Sequence, residues 1–353
     1  MIPQLQQLMN EAARLTRTGD LKAATAAIQS ALAGTQAAMP GVPAQPATID
    51  VEAREVPGGN GDSIVDPIVD PAGRFIAGNY ANGAADRDYK LYIPPGADGG
   101  ALPLVVMLHG CTQHPDDFAA GTEMNEAAQA QGFYVLYPAQ SRKANPQGCW
   151  NWFKHSHQQR GRGEPALLAG MTRHVMAQHA IDPKRVYVAG LSAGGAMAAI
   201  LGSAYPDLYS AVGVHSGLAA GVASDLPGAL AAMKGGGTVA PDNAHGLPTI
   251  VFHGDADATV HPSNADQVVA ACAGKDSQVE TQQVRDPGSR AFTRRIHSDP
   301  ASGRVLAEHW LVHGASHAWS GGNARGSYTD SRGPDASAEM VRFFLEHPHH
   351  PLQ

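Results

Sequence analysis

Arg185-Val-Tyr-Val-Ala-Gly190-Leu-Ser192-Ala-Gly194-Gly195 is a short β-rich run that enters a G-x-S-x-G pattern, and a small-residue stretch, AMAAILGSA, leaves it. The run predicts a strand and the stretch a helix, with Ser192 on the tight turn between them. Glycines on either side of such a turn remove side-chain clashes that the strained backbone would otherwise meet. In a chain with 40 glycines among 353 residues the bare five-residue pattern is weak. Its weight comes from the strand before it and the helix after it.

The same alternation extends in both directions. Strands are expected at Tyr89–Ile93, Leu104–Leu108, Tyr134–Tyr137, Val186–Ala189, Ala211–His215, Thr249–His253 and Ala307–Val312. Helix-like segments lie near 116–131, 164–180, 193–204, 262–273 and 336–346. Continuous apolar runs such as PLVVMLHG and PTIVFHG suit strands covered on both faces. Strands alternating with helices predict an α/β architecture with a mostly parallel sheet and helices on both sides. With a serine on a strand-to-helix turn, that is the α/β-hydrolase fold.

A serine hydroxyl is a poor nucleophile without a base, and the base needs an orienting acid. In this fold they follow in the order Ser, acid, His, each after a later strand. Pro248-Thr-Ile-Val-Phe-His-Gly-Asp-Ala-Asp257 is a strand ending in an acidic turn, and Leu311-Val-His-Gly-Ala-Ser-His317-Ala-Trp319 is a strand followed by a loop histidine. Ser192, Asp257 and His317 are therefore the candidate catalytic triad. Asp255 competes with Asp257 for the acid role, and otherwise reads as a turn residue bonding its own backbone. Of the other histidines, His109, His253 and His313 fall at strand ends, where structural hydrogen bonding is the plainer role. Acyl transfer also needs N–H donors for an oxyanion: Ala193, next to the nucleophile, and Cys111 in the loop after the early strand, with Thr112 as its alternative.

Bulk properties narrow the field. Net charge is −7, and 25 basic residues against 32 acidic ones form no basic run, which argues against nucleic-acid capture. No stretch approaches the length of a membrane span. The first residues, MIPQLQQLMNEAARLTRTG, lack the charged and apolar regions of a secretory signal. With only three cysteines, a cytoplasmic location is the expectation, or a secreted one if a signal was removed. Leu5, Leu8, Ala12 and Leu15, then Leu21, Ala24, Ile28 and Leu32, predict a helical hairpin over 1–34. A Pro/Ala/Gly-rich linker follows over 35–62, and the catalytic domain occupies 63–353.

Five segments together resemble the polyhydroxybutyrate depolymerase family of esterases, which is similar to feruloyl and acetyl xylan esterases. They are His109-Gly-Cys-Thr-Gln113, Cys149-Trp-Asn-Trp-Phe153, Asp182 through Gly195, His253-Gly-Asp-Ala-Asp257 and Ser316-His-Ala-Trp-Ser-Gly-Gly322. The resemblance implies ester hydrolysis by the same triad, without a metal or organic cofactor. It further implies that Trp319, Trp150 and Trp152 line the substrate cleft, with core tryptophans as the alternative. Cys111 and Cys149 both fall in matching segments; a disulfide between them is one expectation and two buried free thiols the other. The substrate expected is a hydroxyalkanoate ester or oligomer; a feruloyl or acetyl xylan ester is the alternative. The chain shows no substrate-binding module after its last helix, which argues against efficient attack on crystalline polymer.

Two further readings stand beside these. The hairpin's apolar stripe would suit a granule- or partner-binding protein, or a homo-oligomer contact. His155 and His157 form an HxH, but no third ligand is evident and no metal is expected.

Overall fold

The computed structural model describes residues 73–83, 85–237, 246–285 and 287–349; the expected hairpin and linker lie outside them. Ten strands form one sheet: β1 (Arg74–Ala81), β2 (Asp86–Ile93), β3 (Leu102–Leu108), β4 (Tyr134–Pro138), β5 (Ile181–Leu191), β6 (Ala211–His215), β7 (Thr249–Gly254), β8 (Gln278–Val284), β9 (Phe292–Ser298) and β10 (Val305–Val312). Their order is β1-β2-β4-β3-β5-β6-β7-β10-β9-β8. The centre, from β4 to β10, is parallel, and each side is finished by antiparallel strands.

The central strands alternate between two buried faces. Leu104, Val106 and Leu108 join one core cluster, while Val105 and Met107 join the other. The first face is covered by α3 (Gly163–Gln178), α4 (Ala193–Ala204), α5 (Leu226–Met233) and α6 (Ser263–Ala273). The second is covered by α1 (Pro115–Thr122), α2 (Met124–Gln131) and α7 (Ala336–Glu346). This is the α/β-hydrolase architecture that the elbow motif predicts.

Two local differences have physical reasons. The helix expected over 116–131 is two helices, because Glu123 takes a left-handed φ of 53° between them. Strands β1, β8 and β9 are additional to the seven expected; they lie at or near the sheet's edges and carry few buried apolar residues, so no apolar run marks them.

Parallel strands all end on the same side, so the loops leaving β3, β5, β6, β7 and β10 converge there. In an open α/β sheet that end is where ligands bind.

Candidate active site

Ser192 sits between β5 and α4 with φ 57° and ψ −118°, outside the regions a side-chain-bearing residue normally occupies. Its backbone N–H donates to the His215 carbonyl at 2.9 Å, which ties the turn to the end of β6. The glycines are sterically required. A Cβ on Gly190 would lie 2.4 Å from the Gly194 carbonyl carbon, and one on Gly194 would lie 2.0 Å from the Leu108 carbonyl oxygen. The turn thus packs directly against the end of β3, where the 109–113 loop begins.

The acid loop follows β7. Asp257 is buried, and its Oδ1 accepts from the N–H groups of Thr259 and Val260, both at 2.9 Å. Its Oδ2 lies 2.7 Å from His317 Nδ1 and 3.4 Å from His253 Nε2. Burial by itself would raise this carboxyl; the hydrogen bonds from His253 and His317 outweigh it and hold the group below the usual carboxylate range. A depressed carboxyl stabilises the fold above its unfolded value of about 3.9, and that contribution is lost as pH falls toward the folded value.

The alternative acid is engaged elsewhere. Asp255 pairs with His313 Nδ1 at 2.8 Å and accepts the Gly314 N–H at 2.7 Å. It fastens the end of β7 to the start of the 313–318 loop, so the structure brings Asp257, not Asp255, to His317.

His215 was not singled out in the sequence, yet it joins two parts of this region. Its carbonyl holds Ser192, and its Nε2 accepts the Ser320 N–H at 2.9 Å. That acceptance places the ring proton on Nδ1, beside Ser216 Oγ at 3.1 Å. Burial lowers its pKa well below the ordinary value, so the ring stays neutral. His109 does similar work at the other loop: Nδ1 donates to the Gly110 carbonyl at 2.8 Å and Nε2 accepts the Gln140 N–H at 3.1 Å. Burial pushes its pKa down to about 4.

In the 109–113 loop the Thr112 N–H donates to the Gln147 carbonyl at 2.9 Å, which removes it as a free donor. The Ala193 N–H opens α4, where the first donors have no acceptor within the helix. Cys111 is joined to Cys149 by a disulfide, with the Cα atoms 4.2 Å apart. Behind that bond, buried Glu164 accepts from the Asn151 N–H at 2.7 Å and the Gln140 amide at 2.5 Å. His157 lies 3.4 Å from the same carboxylate; among the described residues no group of three or more side chains could hold a metal ion.

The disulfide closes a separation of 38 residues. In the chain-entropy picture, losing it costs about 4 kcal/mol. The Cys111→Ala/Cys149→Ala variant should therefore melt roughly 5–7 °C below the parent chain in a thermal scan. An unchanged melting temperature would show that the loop is held by its hydrogen bonds alone.

Trp319 is 1% exposed, Trp150 0% and Trp152 5%, a burial that favours the core alternative over a cleft lining for all three. Trp319 stacks on His215 at 4.9 Å, packs edge-on against Phe118, and donates to Ser337 Oγ at 3.1 Å. Trp150 donates to the His109 carbonyl at 3.0 Å. Trp319 and Trp150 hold the loops in place from behind, each with its N–H satisfied as burial requires.

The segment after His317 is pinned from several sides. Ser327 is gripped by Asp117, whose Oδ1 accepts its N–H at 2.9 Å and whose Oδ2 accepts its hydroxyl at 2.6 Å. Gln113 joins that grip and also accepts the Gly110 N–H at 2.9 Å. Asn323 and Arg325 both reach Glu123, at 2.7 Å and 3.1 Å.

Residues 87–291 match a family model described as Esterase PHB depolymerase. A poly(3-hydroxyalkanoate) depolymerase C of Paucimonas lemoignei is 31% identical over 68% of this chain, which spans 60% of that relative's length. A feruloyl esterase B of Thermothelomyces thermophilus is 28% identical over 59% of this chain and 77% of its own. Among solved structures, an acetyl xylan esterase from Aspergillus awamori superposes with a TM-score of 0.62 at 18% identity, covering 76% of this chain and 99% of its own.

Proposed function

Because the chain belongs to the Esterase PHB depolymerase family, we propose that it is a serine carboxylester hydrolase working through an acyl-enzyme. The observation that carries this reading is the 2.7 Å contact of His317 Nδ1 with a buried, ionised Asp257, on loops converging with the Ser192 turn.

In this reading Ser192 Oγ attacks the ester carbonyl carbon while His317 Nε2 takes the hydroxyl proton. Asp257 keeps the other ring proton on Nδ1 and stabilises the imidazolium. The oxyanion accepts from the N–H groups of Ala193 and Cys111, main-chain donors fixed before substrate arrives. Collapse breaks the bond to the alcohol oxygen, which leaves with the proton from His317. Water then attacks the acyl-enzyme by the same route, returning the proton to Ser192 and releasing the acid. None of these steps requires a metal or an organic cofactor.

The substrate class we favour is a hydroxyalkanoate ester or soluble oligomer, supported by the family and by the 31% identical depolymerase. The feruloyl esterase match supports a phenolic ester as the second reading. The Cys111–Cys149 bond favours an oxidising compartment over the cytoplasmic expectation, since disulfides persist where thiols are not kept reduced. Among the described residues no helix is long and apolar enough to cross a membrane.

A panel of 3-hydroxybutyrate dimer and trimer, methyl ferulate and acetylated xylo-oligosaccharide tests the substrate. The expected result is the highest kcat/KM on the hydroxybutyrate oligomers. A higher value on ferulate or acetyl sugar would put the second class in its place, and no turnover of any ester would remove the hydrolase reading.

A further inference from the structure

The tryptophans leave open which side chain meets the substrate. Among the described residues, Tyr328 is the one Tyr, Trp or Phe classed as exposed, at 48%. Its backbone is left-handed, φ 53°, a conformation uncommon for a bulky side chain and kept only where the surroundings impose it.

Two opposing loops impose it. On one side the Tyr328 carbonyl accepts the Trp319 N–H at 2.7 Å, two residues beyond His317. On the other its hydroxyl lies 3.2 Å from Thr112 Oγ1, next to Cys111. The Thr112 hydroxyl already donates to the Cys111 carbonyl at 2.6 Å, so the tyrosine is the donor in that contact. Thr112 is itself left-handed, with φ 67°. The preceding residue, Ser327, is locked by Gln113 and Asp117 as described above. A half-exposed ring thus stands fixed between the loop bearing the histidine and the loop bearing Cys111.

Resting on the hydrolase reading above, we propose that Tyr328 is a specificity-determining residue that flanks the alcohol half of the bound ester. During attack the carbonyl oxygen must face the 110–112 loop and the departing alcohol oxygen must face His317. A residue tied to one loop by its carbonyl and to the other by its hydroxyl sets its ring beside the space between these oxygens, which the proposal assigns to the alcohol half. The acyl chain leaves the same carbon in another direction. The exposed face of the phenol gives an apolar or aromatic alcohol a rigid surface at little entropic cost, and screens the departing oxygen from water.

The test holds one half of the ester constant while the other varies. With acetyl esters, Tyr328→Ala should lower the ratio of kcat/KM for benzyl acetate to that for ethyl acetate by about tenfold, the scale of a lost apolar contact in a pocket. With p-nitrophenyl esters, the butyrate-to-acetate ratio should stay within about twofold, because that series changes only the acyl half. Tyr328→Phe, which keeps the ring and loses the tether, should retain the parental benzyl-to-ethyl ratio.

An unchanged benzyl-to-ethyl ratio in Tyr328→Ala overturns the proposal. So does an equal loss on all esters, which would make Tyr328 a loop prop, or a shift confined to the acyl series. An active parent chain with unaltered ratios removes the role of Tyr328 alone. A parent chain that turns over none of these esters removes the hydrolase reading together with it.

Discussion

Ser192→Ala should lower kcat for p-nitrophenyl butyrate by roughly a millionfold, leaving a protein that folds and melts as before. The size follows from the route. Without Oγ there is no acyl-enzyme, and the ordered imidazole has no hydroxyl to deprotonate. What survives is binding and the oxyanion donors, which keep a residue of rate over the reaction in water. Fold should survive because the strain lies in the turn's backbone, which the flanking glycines and the bond to His215 maintain, and alanine tolerates φ 57° no worse than serine does. Steady-state rates, with a burst experiment on the parent chain, provide the measurement. A loss below about tenfold would exclude Ser192 as nucleophile.

Asp257→Asn should lower kcat about ten-thousandfold with KM little changed. The asparagine carbonyl would keep the N–H groups of Thr259 and Val260, which turns its NH₂ toward His317. Two donors then face each other. The imidazole relieves this by moving its proton to Nε2, and a ring protonated there cannot accept from Ser192. Asp255→Asn is the matched control, because Asp255 serves His313 and Gly314, and its kcat should stay within about tenfold of the parent. If the two variants exchanged behaviour, the acid assignment would pass to Asp255.

Much of this arrangement is legible in the sequence. A stretch buried on both faces is largely apolar, so β3, the second half of β5 and β7 are legible as runs. A turn packed against the β3 carbonyls must be glycine, so Gly190 and Gly194 marked the elbow. The order of Ser192, Asp257 and His317 could be read because each follows such a strand. Strand β8, QVETQQV, could not be, since its side chains are nearly all exposed and it leaves no alternating pattern. For the tryptophans the sequence leaves cleft and core open, because proximity to His317 says nothing about which way an indole turns; Trp319 stacks on His215. Tyr328 was invisible for another reason. Its partner Thr112 is 216 residues away, and a contact at that separation leaves no local mark.

The three candidate groups hang from β5, β7 and β10, and β6 lies between the first two in the sheet. No hairpin or single helix carries more than one of them. A refolding chain can therefore regain most of its helix and strand content while remaining inert. On the proposed mechanism activity returns only once β10 has docked on β7, a parallel pairing that brings Ala307 beside Thr249 across an intervening helix and strand pair and is slow to close. Recovered turnover thus reports completion of the sheet, and a fragment ending before β10 has no partial version of the chemistry to offer.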